Sequence, residues 1–514
     1  LVWAKSKQMA VAAMQYEYGK ETAASVTKQL NIIKDISVGD YIVAYTGAKG
    51  FLGYGKVNKE FFEEEMNDNF INVSGGTCRQ RVGVDWIKAM DSPVIYTKSK
   101  FMEDVGLKGT PVMSSSTIFE ISSDGFDFVK NLIEGGTTEI GRDPSQNDFL
   151  TYKDLVKHIH LYIKSKGFQY TEEEVVNLFL SIKTKPFVIL SGISGTGKTK
   201  IVQLFAESVG ATEKNGQFTL IPVRPDWNDS SDILGYVDIK GDFRKGPLTK
   251  IIEKAEGNPG LPYFVLLDEM NLARVEYYFS DILSVMESRR WENEEIVTSA
   301  LLSEEVATRE IKLPTNLYII GTVNMDETTH PFSKKVLDRA NTIEFNRVDL
   351  SNFDFLKDKE EVKPIIVHDD KFRAKYLHLK DLYALNKELV EKITAELENI
   401  NKSLQPINAH FGYRVRDEIC FYLDYNEDSN FMDFDKAFDH CILQKILPRI
   451  SGSDKRVEEL LHDLYRLFTS REYEEGQKSH EEEINQGKYP KSAAKVVEML
   501  RRLSADGFTS FWIS

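Results

Sequence analysis

Residues Gly192-Ile-Ser-Gly-Thr-Gly-Lys-Thr199 constrain this chain more than any other stretch. They satisfy G-x-x-x-x-G-K-[ST] at every fixed position, the pattern of a loop that cradles phosphates. Glycines at 192, 195 and 197 permit positive φ and bring backbone N–H groups close to an anion. Ser194 and Thr196 complete the loop, Lys198 is placed to reach the β- and γ-phosphates, and the Thr199 hydroxyl to sit on Mg²⁺. The flanks agree: Lys185-Pro-Phe-Val-Ile-Leu-Ser191 is a short apolar strand, and Lys200–Ser208 has helical apolar spacing. A strand feeding a helix N-terminus also puts the helix dipole at the phosphates. The loop therefore predicts a triphosphate-binding α/β fold.

Length and composition narrow the setting. At 514 residues, 41% hydrophobic and 28% charged, the chain predicts two to four globular domains. It has no apolar run of 18 residues, and its start lacks the order of a signal peptide, so no membrane association is expected. Cys78, Cys420 and Cys441 are dispersed, which favours a reducing cytoplasm over a disulfide framework or a metal site. No histidine pair brackets a glutamate in zinc-hydrolase spacing. The net charge of −15 argues against a surface that is basic throughout. Residues 1–110 hold 14 Lys or Arg and 13 Asp or Glu, so the acidity lies beyond them.

Four regions follow from the pattern. Residues 1–122 read as a small β-barrel-like α+β domain, with strands at Asp40–Tyr45, Phe51–Val57, Val82–Ile87, Pro93–Tyr96 and Ser116–Ile121 and a helix between Ala10 and Leu30. Residues 123–150 are breaker-rich and read as a linker. Residues 151–345 begin with two helices and then alternate helix with near-continuous apolar strands, Phe218–Val223, Tyr263–Asp268 and Leu317–Val323, as a parallel sheet buried on both faces requires. Residues 346–514 read as a mainly helical domain.

The strand Tyr263–Asp268 ends in Asp268-Glu269, 70 residues after Lys198. Behind a phosphate loop, Asp268 is the candidate Mg²⁺ holder and Glu269 the group that orients or deprotonates attacking water. Strand Leu317–Val323 ends in Asn324, an amide able to hold that water, with Glu327 three residues on.

This order of motifs resembles the AAA+ superfamily, and within it the McrB-type restriction motor subunits. The resemblance covers roughly residues 150–450 and rests on the phosphate loop, on Asp268-Glu-Met-Asn-Leu-Ala-Arg274, on Gly321-Thr-Val-Asn-Met-Asp-Glu-Thr328 and on Asp226–Tyr236. The McrB signature Met-Asn-x-x-Asp reads Val323-Asn324-Met325-Asp326-Glu327 here, and the family's Arg after Asp-Glu-x-Asn is Leu272. The resemblance implies an α/β core with a helical lid, GTP (or ATP) hydrolysis, a homo-hexameric ring, and a separate McrC-like nuclease subunit. It assigns Arg339 as the arginine given to a neighbour's site. Arg414 becomes the lid arginine aimed at the nucleotide, with Arg416 the competing candidate. A protein-remodelling ATPase of the MoxR or chelatase kind, and a nucleotide-gated DNA-binding switch with little hydrolysis, are the alternatives.

Val38–Tyr45 with Gly53-Tyr-Gly-Lys-Val57 resembles the core of EVE and related PUA-like barrels. That resemblance implies contact with DNA carrying a modified base, stacked on aromatic rings. Trp3, Tyr45, Phe51, Tyr54 and Trp86 are the candidate aromatics, and Lys56, Arg79 and Arg81 the candidate phosphate contacts.

Overall fold

The structure is a computed structural model that describes residues 11–14, 31–46, 50–63, 80–94, 126, 129–130, 133, 151–292, 295–325, 330–346, 351, 361–474 and 480–512. The chain divides into two compact units, Leu1–Gln146 and Asn147–Ser514.

In the first unit β1 (Val11–Met14), β2 (Tyr41–Thr46), β3 (Gly50–Glu63) and β4 (Gln80–Val94) form an antiparallel sheet in the order β1-β4-β3-β2. Two expectations change here. Val11–Met14, placed in a helix by the sequence, is a strand paired with Gln80–Gly83. Val82–Ile87 and Pro93–Tyr96, read as two strands, are joined up to Val94 in the single long β4. The expected strand Ser116–Ile121 lies outside the described residues. Ile33, Val82 and Val84 make the core, with Ile36, Ile42, Phe61 and Trp86 packed against it. Gly55 lets β3 press on β4, since a Cβ there would meet Val84 Cγ1 at 2.6 Å.

In the second unit α1 (Tyr152–Ser165) and α2 (Glu172–Thr184) start on threonine N-caps, Thr171 with Glu174 forming a full capping box. Next come β5 (Phe187–Gly192), α3 (Lys198–Ser208), β6 (Phe218–Pro222), α4 (Pro247–Glu256), β7 (Tyr263–Asp268), α5 (Ser280–Glu287), β8 (Leu317–Asn324) and β9 (Asn341–Glu344). All five strands are parallel, in the order β9-β5-β8-β7-β6. Strand β9 escaped the sequence reading because Asn341, Thr342 and Glu344 break its apolar run.

Side chains alternate across the pleat, and that alternation builds two cores. Val188, Leu190, Phe264, Leu266, Tyr318 and Ile320 face one way, against α1, α2, α3 and the C-terminal helices. Phe187, Ile189, Tyr263, Val265, Leu267 and Ile319 face the other, against α4 and α5. The C-terminal region is helical as expected, with α6 (Lys387–Leu404), α7 (Tyr413–Ser429), α8 (Lys455–Thr469) and α9 (Pro490–Asp506) as its longest helices. Its apolar faces belong to the first of these cores, so the helices and the sheet bury one continuous interior. The fold is an α/β AAA+ core with a helical C-terminal region.

Candidate active site

Parallel strands leave their C-terminal ends on one edge, and there β5, β7 and β8 bring the candidate residues together. Gly192, Gly195 and Gly197 have φ of +152°, +82° and +89°. The positive φ of Gly197 turns the loop into the N-terminus of α3. Gly192 is also sterically required, because a Cβ there would lie 2.3 Å from the Phe345 carbonyl oxygen. The buried Lys198 ammonium donates to the carbonyls of Gly192 (2.9 Å) and Ile193 (2.7 Å), so it lies folded over its own loop. Tyr170 donates from Oη to the Gly197 carbonyl at 2.8 Å. Burial pushes its phenol pKa up and keeps it a donor.

Asp268 sits at the centre of a hydroxyl network. Its Oδ1 accepts from Thr199 Oγ1 at 2.9 Å and from Thr322 Oγ1 at 2.7 Å. The same Thr322 oxygen accepts the Glu269 N–H at 3.0 Å. Glu269 has φ +53°, ψ +51°, a left-handed conformation that costs a non-glycine residue about 1–3 kcal/mol. Asn324 Nδ2 then donates to Glu269 Oε1 at 3.1 Å. One buried threonine and one amide thus fix both the backbone and the carboxylate of the candidate base.

The donor set suits a hard cation. Thr199 Oγ1 and Asp268 are adjacent oxygen donors, and among the described residues no group of three His, Cys, Asp or Glu side chains could hold a metal alone. A Mg²⁺ here would share phosphate oxygens, as that ion usually does.

The arginines are placed differently from expectation. Arg339 is buried, with Nη2 2.5 Å from Glu287 Oε1 and Nη1 donating to the Lys335 carbonyl at 2.6 Å. Arg414 pairs with the same Glu287 oxygen, so in this chain its guanidinium lies on α5 and not on the phosphate loop. Arg416 is tied to Asp417 at 2.7 Å. The carboxylate beside Arg339 in sequence, Asp338, pairs instead with Arg449.

Thr322, Tyr170, Glu287 and Asn346 were missed by sequence reasoning. Thr322 carried a signal, a hydroxyl in an apolar strand two residues before Asn324. The others act across large separations and left none. Glu327 lies outside the described residues.

In the first unit Lys56 is exposed and lies over the Tyr41 ring at 5.8 Å, and Trp86 is partly buried. Phe51, Tyr54 and Arg81 are each only 2% exposed. Buried within the first unit, these three side chains present no open surface to DNA, which corrects their reading as accessible contacts. Trp3, Arg79 and the Tyr45 side chain lie outside the described residues.

Residues 187–340 match the AAA domain of the dynein-related subfamily, and residues 360–508 match a domain of unknown function, DUF8727. The type IV methyl-directed restriction enzyme EcoKMcrB subunit of Escherichia coli (strain K12) is 24% identical over 182 residues, 35% of this chain and 38% of that protein. The chain thus spans well under two thirds of the relative it matches. A candidate ATPase from Cytophaga hutchinsonii ATCC 33406, known from a crystal structure, aligns at 18% identity with a TM-score of 0.35, over 58% of this chain and 85% of that one. The AAA match and the partial similarity to a restriction-enzyme subunit support an McrB-like AAA+ protein with nucleoside-triphosphatase activity.

Proposed function

We propose that this chain is the nucleotide-hydrolysing motor subunit of a modification-dependent restriction system. The observation that carries hydrolysis is the linked set Thr199, Asp268, Thr322, Glu269 and Asn324 at one sheet edge. The loop N–H groups and Lys198 bind the triphosphate, GTP in preference to ATP. Thr199 and Asp268 would hold magnesium, whose charge would offset that of the phosphate oxygens. Glu269 accepts a proton from the attacking water, and Asn324 keeps that carboxylate aimed. Arg339 leaves Glu287 to serve a neighbouring subunit's site in a homo-hexamer, and Arg414 approaches the nucleotide when the helical region closes.

The restriction role is supported by the methyl-directed enzyme named above, whose similarity covers part of its length. In this reading residues 1–122 recognise DNA bearing a modified base, 123–150 link them to the motor at 151–345, and 346–514 form the lid. Among the described residues, Lys56 and Trp86 are the first-unit candidates that remain at least partly accessible. Cleavage belongs to a separate McrC-like nuclease, and the system works in the cytoplasm.

Steady-state turnover of GTP and ATP, measured with methylated and unmethylated duplexes, tests this directly. The expected result is Mg²⁺-dependent hydrolysis that rises with methylated DNA. Turnover stimulated by a protein and indifferent to DNA would point to a remodelling ATPase. Absence of turnover under every condition would leave a nucleotide-gated binder.

A further inference from the structure

Asn346 follows β9 and touches the phosphate loop from behind. Its Oδ1 accepts the Ile193 N–H at 3.0 Å, while its Nδ2 donates to Glu344 Oε1. The same Nδ2 lies 3.8 Å from the sulfur of Met325, the residue after Asn324. Met325 in turn donates its N–H to the Gly192 carbonyl at 3.1 Å. The Ile193 residue is therefore held at both polar groups, its N–H by Asn346 and its carbonyl by Lys198.

An amide side chain can point either way, and its partners decide which. Glu344 accepts from Nδ2, and that leaves Oδ1 for Ile193. Glu344 is largely buried, and burial raises its pKa. What keeps it an acceptor is Lys495 of α9, 4% exposed, whose Nζ lies 2.6 Å from the same Oε1. Lys495 is itself braced by Glu498 at 3.0 Å, and Glu498 by Arg502 at 2.7 Å. These three residues lie in the segment that matches the domain of unknown function.

We propose that the C-terminal helix α9 tunes nucleotide affinity through a Lys495–Glu344–Asn346 relay in which Asn346 is a positioning residue for the phosphate loop. Removing Lys495 leaves Glu344 without its cation, frees the Asn346 amide to turn, and presents a donor to the Ile193 N–H. The loop then loses its set conformation. This rests on reading the loop as a nucleotide site.

The test measures affinity of the full chain for fluorescent GDP and ADP analogues. Lys495→Met and Asn346→Ala should each weaken binding by about tenfold, the value of one well-placed hydrogen bond. Lys495→Arg, which retains the cation, should restore most of it. In Lys495→Met the KM should rise with kcat within about twofold of wild type. Asn346 is partly exposed, so its truncation guards against an effect of simple unfolding. Unchanged affinity in Lys495→Met and Asn346→Ala, with binding lost in Lys198→Ala, would overturn the relay alone. A wild-type chain that binds neither analogue would overturn the nucleotide reading and the relay together.

Discussion

Asn324 donates to Glu269 at 3.1 Å, so the amide ending β8 holds the carboxylate that follows the last residue of the neighbouring strand β7. Parallel register makes this possible, since Gly321 lies opposite Leu267 and both strands run out on the same edge. Glu269→Gln keeps a carbonyl oxygen for Asn324 but cannot take a proton. Turnover should fall by roughly 10²–10⁴-fold with nucleotide affinity preserved. Asn324→Ala should cost on the order of tenfold. Phosphate release under saturating nucleotide checks both; a Gln variant within tenfold of wild type would remove Glu269 from the role of base.

Thr322 uses one oxygen to serve two residues, donating to Asp268 and accepting from Glu269 N–H. Thr322→Val preserves shape and deletes that oxygen. It should lower stability by about 1–3 kcal/mol, because a buried N–H loses its partner. It should also raise the Mg²⁺ concentration needed for half-maximal turnover, whereas Thr322→Ser should behave like wild type. Urea unfolding and a Mg²⁺ titration read the two effects separately.

Glu287 binds the guanidinium groups of both Arg339 and Arg414. If Arg339 serves a neighbouring site, Arg339→Ala should reduce turnover by about 10³-fold or more and leave nucleotide binding intact. Mixing Arg339→Ala chains with Glu269→Gln chains should then regain activity, at interfaces where an intact base meets an intact arginine. A mixture as inactive as its components would show that the arginine acts within its own chain.

Glu418 lies buried between Lys185 and Lys445, which hold its carboxyl down at about 2 despite burial. A depressed carboxylate pKa contributes stability that is present above the unfolded value of about 4.5 and is lost as pH falls towards 2. Glu418→Gln should therefore cost about 3–5 kcal/mol at pH 7. Its deficit against wild type should shrink steadily below pH 4.5. Denaturant midpoints at pH 7 and pH 3.5 give the comparison; an equal deficit at both would deny the charge a role.

The phosphate loop, its flanking strand and helix, and the Asp268-Glu269 edge were legible in sequence because each is local. A run such as Tyr263–Asp268 is apolar at every position before the acid, and few folds bury such a run except between two helical layers. Pairings set by tertiary packing were not legible. Glu287 reaches Arg414 only after the helical region has docked, and Lys495 meets Glu344 across 151 residues of chain. Tyr54 and Arg81 misled for a related reason. Aromatic and basic residues on a strand read as a binding surface until tertiary packing shows which of them are buried.

The left-handed backbone at Glu269 has one more consequence. Glycine or asparagine would adopt that geometry with less strain, so folding alone gives no reason for a glutamate there. In the proposed motor, its presence is sustained by the proton the carboxylate takes after folding is complete. A descendant that ceased to hydrolyse nucleotide would be released to relax at this position before most others. On that proposal, the residue at this position in a relative should separate working motors from passive binders.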